Sequence, residues 1–345
     1  MAENAAPAVV WLRPEQAPLL SAALAEAGFE PIAAGCATPE QTGAAAGAMG
    51  VTPIDDLRSA MQSVECDLIL LADAGPFGTD SDGTDASAVF EAHKRGVCIA
   101  TLEPVPDSAL GVRSGRWLEP IKGIVPLECI RIVPLPQRAS AFLDAAEVLE
   151  AFGHIRSAAI ELWSTPAETT LSAGLFGALD LTRWLFGEPE TIDAAIVGPD
   201  HGGGVHSLPG ESLRGLTGDA TLTLRYADGR AAGVFVSDRA GRWNRTATLL
   251  GPAGRLRVFD DGFEWLDPEG KKVDSSRSTP TRGTPVSHSV EALSDALKRL
   301  APGRSPTEGP VDHTAVLAIA QAALLSARTG HAESPGTIQR MLRVG

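Results

Sequence analysis

Asp67-Leu68-Ile69-Leu70-Leu71-Ala72 is an unbroken apolar run behind a single acid. It is too short for a helix and has the length and composition of a strand buried in a parallel sheet. Working outward, Ala8-Val9-Val10-Trp11-Leu12 reads the same way, and 18–27 is a helical pattern stopped at Gly28, a residue that accepts the left-handed cap conformation. A second strand follows at 29–34, an alanine-rich helix at 39–49 ends at Gly50, and a short helix occupies 55–62. Beyond the quoted run come a helix at 85–94, Gly96, and a strand at 97–102. Short apolar strands alternating with helices predict βαβ units in a parallel sheet.

After a Pro- and Gly-punctuated stretch at 103–126 the pattern changes. A strand at 127–134, a helix at 139–152 and a strand at 155–163 open a second domain. A helix at 175–186 leads to alternating segments at 192–197, 218–226, 231–238, 246–251, 256–259 and 262–266. Turns such as Ala227-Asp228-Gly229 join them as antiparallel hairpins. The polar run 274–284 predicts a mobile loop, with helices at 289–300 and 312–329 after it. The chain of 345 residues thus divides into two domains, 1–121 and 122–345, and the final helix is expected to pack back toward the first.

The formal charge of −14 argues against nucleic-acid or membrane partners, which are drawn by clustered positive charge. Cys36, Cys66, Cys98 and Cys129 form no C-x-x-C pair, which excludes a zinc knuckle and predicts a reduced thiol set. No basic leader and no run of ~18–20 apolar residues is present. The expected location is cytoplasmic.

Several local stretches carry a resemblance. They are Val64-Glu65-Cys66 leading into the quoted strand, Ala92-His93-Lys94-Arg95-Gly96-Val97, Phe152-Gly153-His154-Ile155-Arg156, the helix Asp180-Leu181-Thr182-Arg183-Trp184-Leu185-Phe186-Gly187, and Tyr226-Ala227-Asp228-Gly229 with Leu250-Gly251-Pro252-Ala253-Gly254. In this order the chain resembles the Gfo/Idh/MocA family of sugar and inositol oxidoreductases across nearly its whole length. The resemblance implies an α/β protein: an N-terminal Rossmann-like, doubly wound parallel sheet, then a C-terminal α+β domain with a large, mostly antiparallel open sheet. It also implies a homo-oligomer assembled through that sheet.

The family's chemistry rests on four sequence features, and the chain departs from each. A dinucleotide site needs a glycine-rich turn after the first strand so that backbone can approach the pyrophosphate. The turn here is Trp11-Leu12-Arg13-Pro14-Glu15-Gln16, without a glycine, with a proline that lacks an amide and with an added negative charge. Arg13 is its one candidate phosphate ligand. Cys36 stands where an acid would accept the adenine ribose hydroxyls, and the next fourteen residues hold no base for a 2′-phosphate. The family's Glu-Lys-Pro aligns with Leu102-Glu103-Pro104-Val105, without the lysine, and Glu103 has the alternative role of capping the next turn. The His-x-x-Asp on the helix facing the nicotinamide aligns with Gly177-Ala178-Leu179-Asp180. Asp180 survives without its histidine, and interaction with Arg183 or the helix dipole also accounts for it. Trp184, expected on the same face, is the aromatic to follow.

Other constellations are weaker. His201-Gly202-Gly203-Gly204 looks like an esterase oxyanion loop, but Gly210-Glu211-Ser212-Leu213-Arg214 lacks the last glycine of a nucleophile elbow. Asp200, His201, His206 and Glu211 offer metal-ligand chemistry without helical spacing. Asp80-Ser81-Asp82-Gly83-Thr84-Asp85 lacks the twelfth-position acid of a calcium loop, and helix capping by Asp85 explains it. The expectation is a family-like protein that has lost NAD(P) binding and hydride transfer, needs no cofactor, and acts as a non-catalytic subunit or binds a protein partner or small carbohydrate-like ligand. The alternatives are a divergent sugar or polyol oxidoreductase using NAD or NADP, and a lyase or hydrolase using Glu103 and Asp180 as an acid–base pair.

Overall fold

The computed structural model describes residues 5–198, 212–277, 287–302 and 311–343. The chain forms two compact units, Met1–Val133 with Ser289–Thr314, and Pro134–His288 with Ala315–Gly345.

The first unit runs β1 (Ala6–Trp11), α1 (Ala17–Ala27), β2 (Phe29–Gly35), α2 (Thr42–Met49), β3 (Thr52–Pro53), α3 (Leu57–Ser63), β4 (Leu68–Leu71), α4 (Thr84–Lys94), β5 (Cys98–Thr101), α5 (Ala109–Ser114) and β6 (Ile130–Ile132). The strands form one parallel sheet in the order β3-β2-β1-β4-β5-β6. β4 is the quoted apolar run, and all four of its residues are buried, as a central strand covered on both faces requires. Gly28 ends α1 at φ 82°, where a side chain would be strained. The segment expected to open the second domain instead supplies β6, whose Ile130 pairs with Ile99 of β5. The first unit therefore runs to Val133, past the expected division at 121.

The second unit is built on α6 (Ser140–Phe152), β7 (Ser157–Trp163), α7 (Leu171–Phe186), β8 (Thr191–Val197), β9 (Asp219–Arg225), β10 (Ala231–Ser237), β11 (Asn244–Gly251), β12 (Gly254–Phe259), β13 (Gly262–Leu266) and β14 (Lys272–Arg277). Its eight-stranded sheet has the order β14-β13-β12-β11-β7-β10-β9-β8, antiparallel except where β7 pairs with β10. Alternation along β7, β9 and β10 turns Ile160, Leu222 and Val234 inward and Ala159, Thr221, Gly233 and Phe235 outward. α7 covers the inner face closely: a Cβ on Gly174 would lie 2.7 Å from Val236. It begins a turn earlier than expected because the Thr170 hydroxyl accepts from the Ala173 amide as its N-cap.

The chain then returns to the first unit with α8 (His288–Lys298), whose Leu293 and Leu297 join Val10, Leu20, Leu24 and Leu70 in one core, and whose Lys298 pairs with Glu26 at 2.9 Å. α9 (His313–Thr329) is assigned to the second unit from Ala315 onward, where the Ser326 hydroxyl accepts from the Ala194 amide of β8. A further helix, α10 (Pro335–Arg343), follows. Two expectations are corrected here. Residues 274–277 of the polar segment belong to β14, paired with β13, and α9 is not the last helix. Residues 278–284 lie outside the described residues. Among the described helices none is long and apolar enough to cross a membrane.

Candidate functional site

In an open parallel sheet, ligands bind outside the carboxyl ends of the strands where the strand order reverses, here between β1 and β4. The turn that leaves β1 is the central element. After Leu12 and Arg13, Pro14–Gln16 form a single 3-10 turn that runs into α1. The Gln16 side chain, 1% exposed, is its keystone. Its Oε1 accepts the Arg13 amide at 2.9 Å, and its Nε2 donates to the Ala72 carbonyl at 3.2 Å, just past β4. The Gln16 amide donates to the Arg13 carbonyl and the Ala17 amide to that of Pro14, while Pro14 and Pro18 have none to give. Most amides that a helix start would present to an anion are thus spent or missing.

Charge points the same way. Arg13 lies 3.3 Å from Glu15 and 3.7 Å from Asp73, so the one cation of the turn is shared by two carboxylates. Trp11 lies against the end of β2, where a Cβ on Gly35 would fall 2.0 Å from its ring, so only glycine fits there. Cys36 follows, 2% exposed, with its thiol pushed above the ordinary value by burial and, secondarily, by Asp73 and Glu15. It remains a neutral thiol and cannot replace a ribose-binding carboxylate.

Beside Cys36 lies an open cavity of about 150 Å³ lined by Trp11, Asp55, Asp56, Leu57, Arg58 and Phe77, among others. Arg58 is the residue that sequence inspection misses. It stands too far along the chain to be counted with Cys36, and α3 carries it to the same cavity. Its Nε donates to Asp85 at 2.6 Å. Asp85 also accepts the Gly78 amide at 2.7 Å and is fully buried, so it is not the cap of α4. Gly83 is the N-cap, and Asp82 accepts the Thr84 amide.

Glu103 follows β5, where the Thr101 hydroxyl donates to the Glu103 carbonyl at 2.6 Å and accepts the Glu103 amide at 3.2 Å. In the same unit the His313 ring is bonded through Nε2 to the Pro106 carbonyl at 2.9 Å, and burial lowers its pKa to about 4. At neutral pH it is an uncharged donor holding this loop.

Asp180 belongs to the other unit. It lies in the middle of α7, 6% exposed, and accepts from Gln137 Nε2. It is a buried, hydrogen-bonded carboxylate away from the helix start, where the dipole would have held it. Gly177, at the vacated histidine position, faces Pro136, and a Cβ there would come within 3.2 Å of the proline ring. Trp184 is 47% exposed and so does not share the buried setting of Asp180. Glu103 and Asp180 thus stand in separate units.

The glycine-rich loop at 201–204 and the ligand set Asp200, His201, His206 and Glu211 lie outside the described residues. Of the elbow-like stretch, Ser212 is described, and its hydroxyl accepts the Arg214 amide at 2.9 Å. Among the described residues no group of three His, Cys, Asp or Glu side chains is arranged to hold a metal.

No family model and no curated protein matches the chain. Solved structures do. An oxidoreductase from Agrobacterium radiobacter, in complex with NAD+, L-tartaric acid and magnesium, is 15% identical with a TM-score of 0.65, covering 97% of this chain and 99% of its own. A levoglucosan dehydrogenase in complex with NADH and levoglucosan is 14% identical with a TM-score of 0.65, covering 95% and 99%. A myo-inositol dehydrogenase from Corynebacterium glutamicum is 13% identical with a TM-score of 0.59, covering 95% and 98%. At these identities the likeness is one of architecture, and with its parallel six-stranded and mostly antiparallel eight-stranded sheets the chain has the fold of the Gfo/Idh/MocA-type NAD-dependent dehydrogenases.

Proposed function

We propose that this protein does not seat NAD(P) for hydride transfer and works as a non-catalytic subunit or ligand-binding member of its fold. The β1–α1 turn carries the reading. A pyrophosphate needs close backbone approach, free amides and no opposing charge. Here prolines replace two amides, Gln16 engages the Arg13 amide, and Glu15 and Asp73 flank the only cation. The residues present do not fit the dinucleotide, so no hydride-transfer step is derived for them.

The second reading, a divergent NAD(P)-dependent sugar or polyol oxidoreductase, is favoured by one observation: the similar structures include complexes with NAD+ and NADH. Titration separates the two. With tryptophan excitation, addition of NADH or NADPH is expected to give no saturable transfer to the nicotinamide and no calorimetric heat. Micromolar binding of either nucleotide overturns the first reading.

The same proposal includes assembly as a homo-oligomer through the outer face of the eight-stranded sheet. Phe235 and Leu250, 37% and 43% exposed, stand there, Phe235 opposite Thr221 and Glu161 and Leu250 opposite Ser157 and Arg255. A face with a few large apolar groups suits a two-fold, self-complementary contact.

A further inference from the structure

We infer that the cavity beside Cys36 is a site for a zwitterion, an amino-acid-like molecule whose apolar part is about one ring in size. Size comes first. The cavity is about 150 Å³, a volume that accepts benzene when its walls are apolar and that falls below the roughly 300 Å³ of sites for larger ligands. Trp11, Leu57 and Phe77 supply apolar wall and are themselves buried.

The polar side is unusual in carrying two opposite charges that do not pair with each other. Arg58 is clamped through Nε by the fully buried Asp85, which fixes the plane of its guanidinium. Its Nη1 and Nη2 donate to no protein group among the described residues. They form one edge of a planar fork, suited to bidentate contact with a carboxylate. Asp55 lines the same cavity, is exposed, and has no ion-pair partner among the described residues. Asp56 adds a second carboxylate, although its Oδ1 already accepts the Arg58 amide.

A ligand with only a carboxylate meets Arg58 but is opposed by Asp55 and Asp56. A ligand with only an ammonium leaves the guanidinium edge unfilled. A molecule carrying both groups satisfies each side while its ring enters the apolar part. The inference deepens the ligand-binding reading and rests on it, because the ribose of a dinucleotide would be directed to this same place beside Cys36.

The test is isothermal calorimetry on the full chain with three probes: L-phenylalanine, benzoate and benzylamine. L-Phenylalanine is expected to bind at least about tenfold more tightly than either singly charged probe, since each charge-assisted hydrogen bond contributes on that order. Asp55→Asn, an exposed change, and Arg58→Lys, which keeps a cation beside Asp85, are each expected to weaken it by about tenfold. Equal affinity for benzoate, indifference to both substitutions, or no binding of L-phenylalanine overturns the inference. A separate titration with NADPH keeps the two readings apart. If NADPH binds and L-phenylalanine, titrated in its absence, keeps its dependence on both residues, the proposed loss of NAD(P) binding fails and this site stands. If neither molecule binds, this site fails alone.

Discussion

Gln16 shows how much one side chain can decide. It bridges the start of α1 to the end of β4 through the Arg13 amide and the Ala72 carbonyl. Gln16→Ala removes both bonds at a buried position and is expected to cost about 1–3 kcal/mol, measured by urea unfolding. His313 makes a prediction in pH. Burial holds its pKa near 4, against an ordinary 6.5, so between those values the folded chain binds fewer protons than the unfolded one. Stability contributed by the neutral ring is therefore lost as the pH falls through that window. His313→Gln, which keeps an N–H for the Pro106 carbonyl, is expected to flatten the loss between pH 6.5 and 4 in unfolding experiments.

At the scale of elements, the loop between β4 and α4 sets Asp80 and Asp82 beside Asp85, the α4 residue that pairs with Arg58. Burial, with hydrogen bonding to Asp85 and Asp82, raises Asp80 to about 6, while bonds from Thr84 hold Asp82 at about 2. The sign for Asp80 is opposite to that of His313: the folded state holds the extra proton, and stability is lost as the pH rises through about 6. Asp80→Asn is expected to gain on the native chain across that range, and a constant difference in unfolding free energy at pH 4.5 and 7.5 would refute the assignment. Much at this scale was legible in the sequence. The strands at 8–12, 68–71 and 97–102 announce themselves because buried parallel strands are continuous apolar runs, whereas 29–34, broken by Glu30 and Pro31, is marked mainly by following Gly28. β14 did not, since Lys272–Arg277 is an exposed edge strand whose polar side chains look like those of a loop. β6 was seen but assigned to the wrong domain, because an apolar run does not name the sheet it joins. The closed turn was legible from its prolines and missing glycines. The bonds of Gln16 and the arrival of Arg58 beside Cys36 were not, because they are set by tertiary approach rather than by local pattern.

For the whole molecule, the outer sheet face sets the expected assembly. Light scattering is expected to report a dimer or larger, and Phe235→Glu with Leu250→Glu to reduce the mass to that of one chain, since a buried charge without a partner disfavours such contacts. A native chain already monomeric at micromolar concentration would remove the proposal. The return of α8 to the first unit bears on biosynthesis. Leu293 and Leu297 belong to the core that β1, α1 and β4 begin, so that core stays open on one side until the whole middle of the chain has been made. At roughly 5–20 residues per second the delay is on the order of ten seconds. During it the apolar side chains of α1, Leu20 and Leu24 among them, lack their last cover. The ribosome-bound chain in that interval presents an apolar helix face of the kind chaperones recognise, and the face is covered by a helix that follows the whole second sheet in the chain.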